Sequence, residues 1–120
     1  LRDRVSGEND STTPVFLIVD DYGLAAQALT PLAEMLPHAR DIGLRVAVAR
    51  GSGGAARALY DPVLGALRES GPMGLQLSAA PEDGPLLGAV RPRPMPPGRA
   101  VFVSRAGADR TVQVAWTEPA

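Results

Sequence analysis

The stretch VFLIVDD, Val15 to Asp21, constrains this chain more than any other. Five consecutive apolar residues, three of them β-branched, are followed at once by two carboxylates. Such a run has no polar alternation and is short for a buried helix. It reads as a strand covered on both faces, as at the centre of a parallel sheet. Charge is costly beside buried apolar residues, so Asp20 and Asp21 are expected where the strand leaves the core. In open parallel sheets that point borders the crevice beyond the strands' carboxyl ends, where ligands bind.

The remaining pattern alternates helix and strand. Thr30 before Pro31 reads as an N-cap and first-turn pair. Leu32, Met35, Leu36 and Ala39 recur at helical spacing, Pro37 should kink or break that helix, and Gly43 should stop it. Leu44 to Ala49 reads as the second strand. Ala55 to Tyr60 reads as helical, and Asp61-Pro62 opens another helix with Val63, Leu64 and Leu67 on one face and Gly71 at its end. Met73 to Ser78 reads as a third, weaker strand, and Pro81, Glu82 and Asp83 as the start of a short helix through Leu87. Val90 to Gly98 holds four prolines and two arginines and is expected to be an extended loop. Arg99 to Ser104 and Thr111 to Trp116 flank RAGAD as an antiparallel hairpin. The order β-α-β-α-β-α-β-β predicts an α/β fold, a mostly parallel sheet flanked by helices with a C-terminal β-hairpin. Residues 1–13 are polar and are expected to be a flexible segment, with residues 14–120 forming the folded part.

Composition narrows the chemistry. The formal net charge of the 120-residue chain is −1, so no global basic field points to nucleic acid. There is no cysteine, which removes disulfides and thiolate metal sites, and a single histidine, His38, builds no zinc site alone. No apolar stretch approaches the roughly 20 residues of a membrane helix. All twelve basic residues are arginine. A phosphate-gripping P-loop needs a lysine within a glycine-rich turn, and this chain has none to offer.

Several residues carry two readings. An acid after an apolar strand can orient magnesium through its water ligands, and a second acid can polarise an attacking water; equally, Asp20 caps a loop and Asp21 is solvated. Arg50, at the end of the second strand, either contacts phosphate or forms a structural ion pair. Gly51-Ser52-Gly53-Gly54 leads into a helix as a phosphate cradle would, but without Walker spacing a flexible turn is favoured. His38 reads as a surface histidine. Arg91, Arg93 and Arg99 form a basic rim around the proline loop or are simply solvated. Trp116 alternates with Val112 and Val114 and is expected to pack in the core.

The order of segments resembles a known family. VFLIVDDYGL is similar to the Walker B strand of FtsK/SpoIIIE-type ATPases. LPHARDIGLRVAVAR, SGGAARALYDPVLGALRE, MGLQLSA and LLGAVRPRPMPPGRAVFV resemble the continuation of the last ATPase module of EccC, the motor of actinobacterial type VII secretion. The resemblance covers Pro14 to Trp116. It implies a RecA-like P-loop ATPase core, present in part, since no Walker A segment precedes the Walker B strand here.

The resemblance also implies roles. Asp20 would be the Walker B acid that holds magnesium indirectly through water, and Asp21 would occupy the general-base position. Mg-ATP is the implied cofactor of the complete module, and this chain alone is expected to be inactive. Implied partners are neighbouring ATPase modules, secreted helical-hairpin substrates and further copies of the chain, at the cytoplasmic face of the cell membrane. Two departures point to a degenerate site: the strand ends Asp20-Asp21 where such motors have Asp-Glu, and Ala49-Arg50-Gly51 stands where they carry a glutamine. A non-hydrolysing docking module is the alternative, and a DNA-translocase module a further one.

Overall fold

The computed structural model describes residues 13–58, 60–71 and 73–120. The expected flexible segment lies outside the described residues except for Thr13. The chain divides into two compact units, the first ending at Gly51 and the second running from Ser52 to Ala120.

The first unit is built on two parallel strands, β1 (Val15–Val19) and β2 (Leu44–Val48), in register from Val15 opposite Leu44 to Val19 opposite Val48. The connection carries two short helices, α1 (Tyr22–Ala25) and α2 (Leu32–Met35), and a 3-10 turn over Leu36–His38. Pro37 does break the helix as expected: it cannot donate to the α-helical ladder, and the path tightens to 3-10 at that point. Gly43 adopts a φ of 68°, the left-handed turn that ends the connection. Thr30 is not the cap the sequence suggested. Its hydroxyl donates back to the Ala26 carbonyl at 3.4 Å, and no side chain caps α2. Among the described residues of this unit, Tyr22, Leu32, Leu36 and Leu44 are buried.

The expectation that β1 is covered on both faces is corrected. Val15, Leu17 and Val19 are half-buried, but Phe16 and Ile18 are 69% and 79% exposed. The register puts Phe16 opposite Arg45 and Ile18 opposite Ala47, both exposed. Period-2 geometry makes these one face of the sheet, and within this unit no described element packs on it. Among the described residues β1 pairs with β2 alone, so it is an edge rather than a central strand.

In the second unit α3 (Ala55–Ala58) precedes α4 (Pro62–Glu69). Asp61 caps α4: its Oδ1 accepts from the backbone N–H of Val63 at 2.9 Å and of Leu64 at 3.0 Å. Pro62 occupies the first turn, where a missing N–H costs nothing. Gly71, with a φ of 72°, follows the helix end. Val63 is fully buried.

Three strands form an antiparallel sheet in the order β3 (Gly74–Gln76), β4 (Arg99–Val103), β5 (Arg110–Gln113). The C-terminal hairpin is as expected. β3 is not: it was expected in a parallel sheet and instead pairs antiparallel with β4. A parallel partner needs a crossover, usually a helix. The β3–β4 connection forms only one 3-10 turn, Pro81–Asp83, before its proline run, so it returns the chain as a loop. The expected helix through Leu87 is limited to that turn. Trp116 lies beyond β5 and is 53% exposed, which overturns its assignment to the core.

Gly98 locks the hairpin to the loop. Its φ is 77°, and a Cβ there would lie 2.5 Å from the Val114 carbonyl oxygen and 2.7 Å from Gln113 Nε2. The same glutamine donates to the carbonyls of Pro97 and Val114. Replacing Gly98 by Ala is therefore expected to destabilise by about 2 kcal/mol, combining backbone strain with a forced shift. Asp61→Ala, which removes a cap, should cost about 1 kcal/mol. Urea titrations followed by circular dichroism check both, and Gly98→Ala should be the more damaging.

Candidate functional site

Parallel pairing decides where the acids lie. Because Val19 stands opposite Val48, Asp20 and Asp21 emerge at the same end of the two-stranded sheet as Ala49 and Arg50. Backbone bonds stitch that end together: Ala49 N–H donates to the Val19 carbonyl at 2.8 Å, and Tyr22 N–H donates to the Ala49 carbonyl at 2.9 Å. Tyr22, 2% exposed, roots the turn that carries both carboxylates.

The two aspartates differ in conformation. Asp20 Oδ1 accepts the backbone N–H of Asp21 at 2.9 Å. This leaves its Oδ2 without a partner among the described residues, and the residue is exposed. Asp21 adopts φ 48° and ψ 52°, and among the described residues it alone has positive φ without being glycine. Aspartate tolerates this left-handed region better than most residues, and here it reverses the chain from strand into α1. Its carbonyl accepts from Leu24 N–H at 2.8 Å. Two adjacent acids on an extended chain would point to opposite sides; the left-handed step breaks that alternation.

Arg50 is half-buried at the β2 tip, and its Nε donates to the Gly51 carbonyl at 2.8 Å. The structure thus gathers Asp20, Asp21 and Arg50, all three named from sequence, at one end of one sheet. The left-handed turn at Asp21 and the role of Tyr22 as its root were not anticipated. The only sequence signal for the former is that aspartate, not a β-branched residue, follows Asp20.

An exposed carboxylate with a free oxygen at a strand tip suits a magnesium-bound water, since magnesium usually keeps several waters and takes one or two carboxylates. No group of three or more His, Cys, Asp or Glu side chains able to hold a bare metal ion occurs among the described residues. The glycine-rich turn Ser52 to Gly54 leads into a helix of four residues, too short to develop a useful terminal dipole, and it carries no lysine. The phosphate side is therefore not supplied by this turn. His38 is exposed, as expected of a surface histidine.

Comparison with known proteins decides the family. No family model matches the chain. Over 109 residues, 88% of the chain, it is 51% identical to the ESX-4 secretion system protein EccC4 of Mycobacterium tuberculosis. Over 107 residues it is 47% identical to the ESX secretion system protein EccC of Thermomonospora curvata. The chain belongs to the EccC family. Its fold matches the structure of T. curvata EccC, ATPases 2 and 3 in complex with a signal sequence peptide, with a TM-score of 0.84 and 43% identity over 99% of the chain. A second structure, the cytoplasmic domain of the T. curvata type VII secretion ATPase EccC, matches with a TM-score of 0.81 over 88% of the chain. The chain spans 9% and 8% of the two EccC relatives and 21% of the ATPase 2 and 3 structure. It is thus an α/β segment of EccC-type sequence.

The left-handed backbone at Asp21 makes a direct prediction. Asp21→Gly should leave stability unchanged or raise it by up to about 1 kcal/mol, whereas Asp21→Val should lower it by about 1–2 kcal/mol. Thermal melts of the two variants beside the parent chain check the ordering.

Proposed function

We propose that this EccC segment contributes the Walker B side of an ATP site within a larger motor that drives export of small helical secreted proteins. The observation that carries this reading is the placing of Asp20 at the carboxyl tip of a strand in parallel pairing, its carboxylate oriented by Asp21 N–H with one oxygen left open. When Mg-ATP is bound, the ion supplies charge neutralisation at the phosphates. Asp20 would hold one of the ion's waters, and Arg50, at the same end of the sheet, would be a phosphate contact. Asp21 stands at the general-base position. Its carboxylate is one methylene shorter than the glutamate of related motors, which favours slow turnover.

A second reading, docking without hydrolysis, is favoured by the left-handed backbone at Asp21, which breaks the strand's alternation at the general-base position. The T. curvata structure in complex with a signal sequence peptide supports a role for such modules in holding secreted substrates. In both readings the segment works beside neighbouring ATPase modules at the cytoplasmic face of the cell membrane. No helix among the described residues is long and apolar enough to cross a membrane.

Calorimetric titration separates the readings. Mg-ATP should give no detectable heat with this chain alone, because the phosphate grip is lacking; micromolar affinity would overturn the account. In the full-length parent, Asp20→Ala should weaken magnesium-dependent nucleotide binding by roughly tenfold, the scale of one charge-assisted contact. Unchanged affinity would leave Asp20 as a capping residue. Retained binding with no turnover in the parent would favour docking.

A further inference from the structure

The basic residues of the second unit are concentrated at its C-terminal end. From Val90 to Trp116 there are five arginines, Arg91, Arg93, Arg99, Arg105 and Arg110, and a single acid, Asp109. The chain as a whole carries a net charge of −1, so this region stands out against an acidic background. All five guanidinium side chains belong to exposed residues, and none has an ion-pair partner among the described residues.

Two of these arginines line a groove of about 420 Å³, shared with Val90, Pro92, Val101, Asp109 and Thr111. Val101 and Thr111 are register partners on one face of the β3-β4-β5 sheet. The loop from Leu87 crosses that same face. A Cβ on Gly74 would meet Leu87 at 2.7 Å, and Gly88 approaches Val103, the register partner of Gly74. Pro92 is buried while Arg91 and Arg93 on either side of it are exposed, so both guanidinium groups stand on the open side of the ribbon.

The ribbon is tied to the chain before it at two points. Ala79 N–H donates to the Arg93 carbonyl at 3.2 Å, and Met95 N–H donates to Ser78 Oγ at 3.0 Å. Pro92 and Pro94 fix the backbone on both sides of Arg93. Two exposed cations thus stand on a tied stretch of backbone beside an apolar floor, which lowers the backbone share of the ordering cost of binding.

We infer that this groove is a docking site for an acidic peptide segment bound in extended form. Arg91 and Arg93 are separated by about 6–7 Å of extended chain, the spacing of carboxylates on alternate residues of an extended partner. Guanidinium groups bind carboxylates through paired N–H donors. The intervening apolar residue of the partner rests on the half-buried Val90 and Val101, and the exposed Thr111 hydroxyl offers a polar contact. No aromatic side chain lines the groove, so bases have nothing to stack on. Asp109 on the wall opposes a continuous phosphate chain but tolerates a partner whose acids alternate with apolar residues. The site lies wholly in the second unit and does not depend on the ATP-site reading.

The test uses the full-length parent protein without nucleotide and a fluorescent peptide that alternates aspartate with valine, followed by anisotropy. Binding is expected to weaken as salt rises. Arg91→Ala with Arg93→Ala should weaken it by roughly tenfold, the sum of two exposed charge contacts. The double lysine variant should retain most of the affinity, and Asp109→Asn should tighten it. A peptide with asparagine in place of aspartate should not bind. Equal binding of that neutral peptide, or undiminished binding after Arg91→Glu with Arg93→Glu, overturns the proposal. So does competition by a single-stranded oligonucleotide, inorganic phosphate or phosphatidylserine vesicles that matches the acidic peptide. The neutral-peptide and salt measurements need no variant, so the proposal stays testable whichever substitutions fold.

Discussion

The parallel pairing of Val15–Val19 with Leu44–Val48 is the constraint on which the candidate site depends. Parallel strands bring like ends together, and only that arrangement puts the residues after both strands in one place. Had the pair been antiparallel, Asp20 and Asp21 would face the start of β2, and Arg50 would lie at the far end of the sheet. The pairing needs a crossover, and the crossover needs helices short enough to return within the length from Asp20 to Gly43. Pro37 and Gly43 shape that return, one by breaking the α-helical ladder and the other by reversing the chain.

The exposed half of β1 follows from the same strand. Its side chains are apolar on both faces, yet within this unit only one face is half-buried, and Phe16 and Ile18 stand in solvent. The chain spans less than a tenth of the length of the two EccC relatives named above. Its second unit solves a different problem. There an antiparallel three-stranded sheet is covered on one face by its own proline-rich connection, pinned through Ser78, Ala79 and Gln113. Those bonds hold the backbone that carries the exposed Arg91 and Arg93 against the sheet.

Much of the local structure was legible in the residues. β1, β2, the break at Pro37, the Asp61 cap of α4 and the hairpin about Gly107 each rest on short-range rules of hydrophobic run, proline geometry and side-chain capping. So does the placing of Asp20, Asp21 and Arg50 at strand ends. What failed were statements about partners distant in sequence. The antiparallel pairing of β3 with β4, the edge position of β1 and the exposure of Trp116 depend on which segments meet, and a three-residue strand or a lone aromatic does not encode that.

By itself the sequence determined the apolar strand, the acids that must leave it, the want of a lysine for any phosphate loop and the kinship with EccC. Those are properties of single residues and their neighbours. The tertiary structure alone decided that Asp21 turns left-handed on a buried Tyr22, that Asp20 leaves one carboxylate oxygen open, and that Arg91 and Arg93 flank a groove. The first rests on Tyr22 N–H bonding the Ala49 carbonyl across the sheet and the last on Ala79 and Ser78 holding the backbone at Arg93 and Met95, contacts between segments apart in the chain; the Asp20 carboxylate is then oriented by its neighbour's N–H within the turn those contacts hold.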